Sequence, residues 1–207
     1  FDFSRSLFFL SLFCGRYWIS PGVCLQVLAA KLLPFLPIEH TWDGAQEAVI
    51  WQIRFPRALL AMLVGAGLSI SGASFQGMFR NPLVSPDLLG VSAGAGFGAC
   101  LGILLNGSQA MIQVLAFCFG LLAVVLTYLI SRVYKSTPVL MLVLAGVAIS
   151  ALFSALISVT KYMADPYSKL PEITFWLMGS LGKADGTSVV AAAVPIILGS
   201  LGLLLVG

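Results

Sequence analysis

Charge is what this 207-residue sequence has least of. Only 9% of its residues are Asp, Glu, Lys or Arg, against 59% hydrophobic, and mean hydropathy is +1.03. Soluble domains carry about 25% charged residues, so the chain cannot cover a water-facing surface. The lipid bilayer is the solvent that fits. The eleven basic residues are scattered and the net charge is only +3, which excludes the basic stripe that nucleic acid requires. Histidine occurs once, as His40 in a polar segment, without a partner at metal-ligand spacing. Of the four cysteines, Cys100 and Cys118 fall inside apolar runs and Cys14 and Cys24 lie near the start. They read as small buried hydrophobes, with no disulfide framework. HExxH, P-loop and paired-aspartate signatures are missing. The serines of SISG and SGAS have no histidine in any apolar run to activate them. The apolar runs also lack carboxylates, which argues against a proton-coupled pump. No catalysis, metal or bound cofactor is expected of this chain.

Long apolar runs are what it does have. Crossing the hydrocarbon core takes about 20 apolar residues in a helix, and five uncharged runs qualify: Ala58–Phe79, Leu88–Leu105, Ala110–Ser131, Thr137–Thr160 and Thr187–Gly207. The short alternating segments of a membrane barrel are absent. Leu7–Cys14 is too short to span alone, and a first helix around 3–15 is expected there. The fold class is therefore all-α, a polytopic membrane helical bundle with about six spanning helices in one domain over 1–207. The chain stops at LGSLGLLLVG with no polar tail, which reads as an N-terminal fragment of a longer protein.

The connections carry the polar residues. Arg16–Arg57 contains SPGVCLQVLAAKLL, where Ser20 suits an N-cap and Pro21 the first helical position, giving a short interfacial helix. Lys161–Gly186 contains PEITFWLMGSLG, a second short helix anchored by Phe175 and Trp176. Alternating crossings place Arg80–Asp87 and Arg132–Ser136 on one face of the membrane. Their short basic loops mildly favour the cytoplasm.

Four local patterns stand out. In RNPLVSPDLLG, Pro82 and Pro86 stop helix continuation and push Asn81 and Ser85 towards extended backbone, predicting a rigid turn. Gly90, Gly94, Gly98 and Gly102 recur every fourth residue, clearing one side of a helix for close packing. Gly146, Ser150, Ser154 and Ser158 form a stripe that drifts only about 40° per step. It either packs against a helix or lines a wet pathway. Arg54 and Arg57 in RFPRALL could both point to the water boundary, as snorkelling anchors or as a docking site for acidic side chains.

The run RFPRALLAMLVGAGLSISGASFQGMFRNPLVSPDLLGVSAGAG, with GRYWISP, LVLAGVAISALFSALIS and FWLMGSLG, resembles the FecCD-type permeases of bacterial ABC importers. That group handles iron–siderophores, haem, vitamin B12 and, in some members, molybdate. The resemblance covers nearly the whole chain and implies a multi-pass inner-membrane permease with about ten helices per subunit. It further implies a homodimer, two cytoplasmic ATPase subunits carrying ATP and Mg, and a periplasmic substrate-binding protein. By the same resemblance Arg54 and Arg57 dock the binding protein, and the helix of Gly146, Ser150, Ser154 and Ser158 lines the translocation path. Ser136 and Thr137 match the cytoplasmic gate. The competing reading is a secondary transporter with a broken-helix substrate site at Pro82–Pro86, which predicts activity without an ATPase and an inverted repeat. No such repeat is visible.

Overall fold

The computed structural model describes residues 8, 10–13, 15, 17–33, 35, 40–82, 84–133, 138–182 and 184–206. Among them every regular element is helical. The elements are α1 (Pro21–Leu32), α2 (Gly44–Ala48) running through a π-helical turn (Val49–Arg54) into α3 (Phe55–Phe79), and a 3-10 turn (Pro86–Leu89). After them come α4 (Val91–Leu104), α5 (Gln109–Ser131), α6 (Pro138–Met163), α7 (Lys169–Met178) and α8 (Gly186–Val206). The expected all-α membrane architecture is found. Among the described residues, four continuous helices are long and apolar enough to cross a membrane: Gly44–Phe79, Gln109–Ser131, Val139–Met163 and Gly186–Leu205.

Two helices differ from expectation. The helix through α3 starts at Gly44, well before Ala58, because the Asp43 backbone N–H is held by the Gln46 side-chain oxygen at 3.2 Å and the backbone continues through the π turn. Glu47, Arg54 and Arg57 lower the hydropathy of that stretch without breaking its hydrogen bonds. Conversely, Leu88–Leu105 is not one spanning helix. Pro86–Leu89 forms its own 3-10 turn, Gly90 takes φ +76, and only Val91–Leu104 is α-helical. At 1.5 Å per residue those fourteen residues reach about 21 Å, short of the roughly 30 Å core.

The described residues fall into two compact units. One comprises the chain up to Ile70 together with 181–207. Its apolar centre gathers Leu12, Ile19, Cys24, Val27, Ile50 and Ala58. α1 begins as the sequence suggests, with the Ser20 hydroxyl accepting from the Val23 N–H at 3.4 Å and Pro21 leading. Lys31 pairs with Glu47 at 2.6 Å, and the Trp42 indole N–H donates to the same carboxylate at 3.1 Å.

The other unit, Ser71–Ser180, is built on α4 lying against α5. A Cβ added to Gly94 would stand 2.5 Å from the Phe119 carbonyl oxygen, and one on Gly98 would overlap the Leu115 carbonyl. On Gly102 it would meet Ile112 Cα at 3.1 Å. These glycines let one backbone approach the other closely. Phe97, Phe119 and Phe153 fill the space towards α6, with ring centroids 5.0–6.4 Å apart. α7 forms where the short second interfacial helix was expected, with Phe175 exposed.

Candidate functional site

The turn between α3 and α4 organises the second unit. α3 closes at Arg80 (φ 50), with Arg80 N–H bonded to Gly77 O and Asn81 N–H to Gln76 O. This left-handed cap satisfies the last carbonyls of the helix. The Gln76 side-chain amide donates to Pro82 O at 3.2 Å, and Pro86 opens the 3-10 turn. The Asp87 carboxylate accepts from the Ser92 hydroxyl. The turn is then seated between two helices: the Thr127 hydroxyl, fully buried on α5, donates to Leu89 O at 3.0 Å, while Gly146 on α6 lies against Leu88 O so closely that any Cβ would collide with it. The carbonyls of Leu88 and Leu89, which a broken-helix site would offer to a solute, are covered.

Gly90 differs from the other three glycines of its series. It precedes α4, and its positive φ is the left-handed conformation that glycine adopts without strain. Its Cα faces Ile149 and Ser150 of α6, not α5. The stripe on α6 also divides. Gly146 is buried and Ser150 half-buried against the turn, whereas Ser154 and Ser158 are exposed. Ser158 Oγ donates to Ser154 O at 3.0 Å along the helix. One helix face therefore packs at its first half and opens at its second. Ser136 and Thr137 lie outside the described residues.

On the first unit the structure separates the two arginines. Arg57 is exposed at the start of α3, where Nη2 donates to Gly182 O at 3.0 Å. Arg54, the last residue of the π turn, is only 8% exposed. Its Nη1 donates to Leu12 O at 2.7 Å and Phe13 O at 3.2 Å, and its Nη2 to Tyr17 O. The expectation that both point to water is corrected for Arg54. A buried guanidinium must have its donors satisfied, and carbonyls at the end of the helical residues 10–13 do so while attracting a cation electrostatically.

A cleft of about 480 Å³ lies in this same unit, walled by Trp51, Phe55, Leu59 and Val189 with Gln52 and Asp185 at its polar edge. Trp51 and Phe55 are stacked, with centroids 5.0 Å apart. Asp185 caps α8. Its carboxylate accepts from the Ser188 hydroxyl at 2.6 Å, the Ser188 N–H at 2.8 Å and the Thr187 hydroxyl at 2.8 Å. These donors hold its carboxyl down at about 2. Among the described residues no group of three or more His, Cys, Asp or Glu could hold a metal ion. Thr127 and the cleft had no clear sequence signal beyond a hydroxyl within an apolar run and an aromatic pair four residues apart.

The sequence matches the FecCD transport family across residues 5–207. The chain belongs to this family. The molybdate import system permease protein MolB of Haemophilus influenzae is 42% identical over 189 residues, which cover 91% of this chain and 55% of that protein. The vitamin B12 import system permease protein BtuC of Escherichia coli O17:K52:H18 is 36% identical over 195 residues, 91% of this chain and 53% of that protein. A solved inward-facing structure, described as a metal-chelate type ABC transporter, matches with a TM-score of 0.78 at 38% identity. It covers 97% of this chain and 58% of the solved one. The chain spans about half the length of the curated relatives it matches. The four spanning-length helices among the described residues and this family membership describe a multi-pass membrane protein.

Proposed function

We propose that this chain belongs to the membrane-spanning permease subunit of a binding-protein-dependent ABC importer in a bacterial inner membrane. The observation that carries the reading is the family match over residues 5–207. The subunit catalyses nothing and binds no cofactor. Two cytoplasmic ATPase partners hold ATP and Mg, and their turnover switches a homodimer of the permease between inward-open and outward-open states. The solute is a metal chelate or similarly bulky compound, or a molybdate-type oxyanion.

The open half of α6 suits the path itself. Ser154 and Ser158 are exposed yet uncharged, so they can wet a passage without holding its cargo tightly, and selectivity then rests with a periplasmic binding protein. Gly146 and Ser150 anchor the same helix to the turn, and Ser136 and Thr137 act at the cytoplasmic gate. Arg54 and Arg57 supply the cations for carboxylates of the binding protein, Arg57 from an exposed position.

The intact protein, reconstituted with its ATPase and binding protein, should take up solute only with hydrolysable ATP. Arg57→Glu should lower docking of the binding protein about tenfold or more, through like-charge repulsion. Cysteines placed at Ser154 or Ser158 should react with aqueous thiol reagents in the intact transporter. Uptake without ATP, or unchanged docking by Arg57→Glu, would remove the corresponding part of the reading.

A further inference from the structure

We infer that Lys161 makes the far end of the α6 serine face a reception point for anions, so that the solute class taken by this path is an oxyanion or an anionic metal chelate and not a neutral compound. The inference rests on the path role proposed above for Ser154 and Ser158.

Three observations carry it. The first is register. Lys161 lies in the last turn of α6 and is the only charged residue of that helix. It follows Ser154 by seven residues and Ser158 by three. At 3.6 residues per turn those steps leave it about 20° from Ser154 and about 60° from Ser158 round the helix. The exposed half of the stripe therefore ends on a cation.

The second is how the side chain is held. Ile157, one turn earlier, packs on α4, where its Cδ1 comes within 3.3 Å of the Cβ position at Gly96. Ala164, just past the helix, is buried with Ala99, Cys100 and Ile103 of α4. Lys161 falls between these two contacts and is half-buried. The outward side of the last turn is elsewhere: Tyr162 and Met163 are 92% and 67% exposed, about 100° and 200° further round. A lysine serving only as a lipid anchor would extend to the headgroups from that outward side.

The third is its unpaired charge. The carboxylates of the unit Ser71–Ser180 belong to Asp87, Asp165 and Glu172. Glu172 pairs with Lys169 at 3.4 Å. Asp165 accepts from the Ser168 N–H at 2.8 Å and from the Ser168 hydroxyl, and Asp87 accepts from Ser92. Among the described residues no carboxylate lies within ion-pair distance of Lys161. The carbonyl end of α6 favours a cation there without pairing it. An incoming anion thus meets a positive charge beside uncharged hydroxyls, whereas a neutral solute gains nothing from it.

The potential at the serine face is read directly with charged thiol reagents. In the intact transporter carrying Cys14→Ser and Cys118→Ser, Ser158→Cys is modified with anionic methanethiosulfonate ethylsulfonate or cationic methanethiosulfonate ethyltrimethylammonium. Each rate is divided by that of a free thiol in the same buffer. The ratio of anion to cation then cancels any change in thiolate fraction. It should favour the anion by about tenfold, since two unit charges at 4 Å still attract appreciably in water. The preference should be smaller at Ser154→Cys, about 10 Å from Lys161 along the axis. Lys161→Arg should keep it, Lys161→Gln should abolish it and Lys161→Glu should invert it. Raising ionic strength from about 0.01 M to 1 M should shrink it in the parent, a measurement that serves if the Lys161 variants do not accumulate. A parent that shows no anion preference at Ser158→Cys would overturn the inference, as would an equal preference in Lys161→Gln. Either result leaves the path reading intact. If neither reagent reaches Ser154→Cys or Ser158→Cys, the path reading itself fails, and the inference falls with it.

Discussion

The packing of α4 on α5 allows a prediction whose sign changes within one interface. Gly94 and Gly98 sit where the α5 backbone comes closest, whereas Gly120 on α5 faces Ala95 and Val91 with room to spare. A Cβ at Gly94 would lie 2.5 Å from the Phe119 carbonyl oxygen and 2.8 Å from Ala123 Cβ. Comfortable C···O approaches are about 3.3–3.6 Å, so the overlap with the Phe119 carbonyl is roughly 1 Å, and that carbonyl is backbone. Neither helix can yield locally, and the pair must separate. A gap of about 0.5–1 Å already forfeits a quarter to a half of each dispersion contact across the interface. At Gly120 the nearest atom would be Ala95 Cβ at 3.5 Å, an ordinary contact.

Gly94→Ala and Gly98→Ala should therefore cost about 1–3 kcal/mol as overpacking. Gly120→Ala should be neutral or stabilising by about 0.4–1 kcal/mol, because alanine restricts the unfolded chain. Reversible unfolding of the intact protein in mixed detergent–lipid micelles measures both. The two groups of variants should differ by about tenfold or more in the unfolding equilibrium, since about 1.4 kcal/mol is tenfold. Equal stability of Gly98→Ala and Gly120→Ala would refute the close backbone approach.

Thr127→Val removes the hydroxyl that caps Leu89 O inside the unit. It should destabilise by about 1–3 kcal/mol in the same assay, the cost of an unsatisfied buried carbonyl, while Thr127→Ser recovers most of the loss. Asp185 makes a pH prediction. Its carboxyl is held down at about 2 by the Ser188 and Thr187 donors, below the ordinary value of about 3.9, so the cap of α8 is fully formed above that ordinary value. It is lost as pH falls through about 2. Amide exchange at Ser188 should stay protected at pH 4 and rise towards pH 2, and Asp185→Asn should remove that pH dependence.

Local physics was legible in the sequence and distant physics was not. The start of α1 at Ser20 and Pro21 could be read directly, because a cap and a proline act on their immediate neighbours. The turn at Asn81, Pro82 and Pro86 could be read for the same reason. The spanning runs were visible because lipid selects on composition alone. The short α4 was not, since hydropathy across Leu88–Leu105 is blind to the left-handed Gly90 that separates a 3-10 turn from the helix. Nor was the start at Gly44 visible, because charged side chains lower a hydropathy average without breaking backbone hydrogen bonds. The stripe from Gly146 to Ser158 was recognised as one feature and proves to be two. Its first half is occupied by the carbonyl of Leu88, which no periodicity of α6 itself could announce.

The arginine pair shows why such features escape a reading by pattern. Spacing of three places two side chains near one face of a regular helix, and that geometry predicts a shared task. Arg54, however, ends a π turn, and its acceptors are the carbonyls of Leu12, Phe13 and Tyr17, on the far side of α1 in the sequence. Contacts from so far along the chain leave no trace in a local spacing of three, so a pair that reads as one surface feature is divided by the fold into a buried cation and an exposed one.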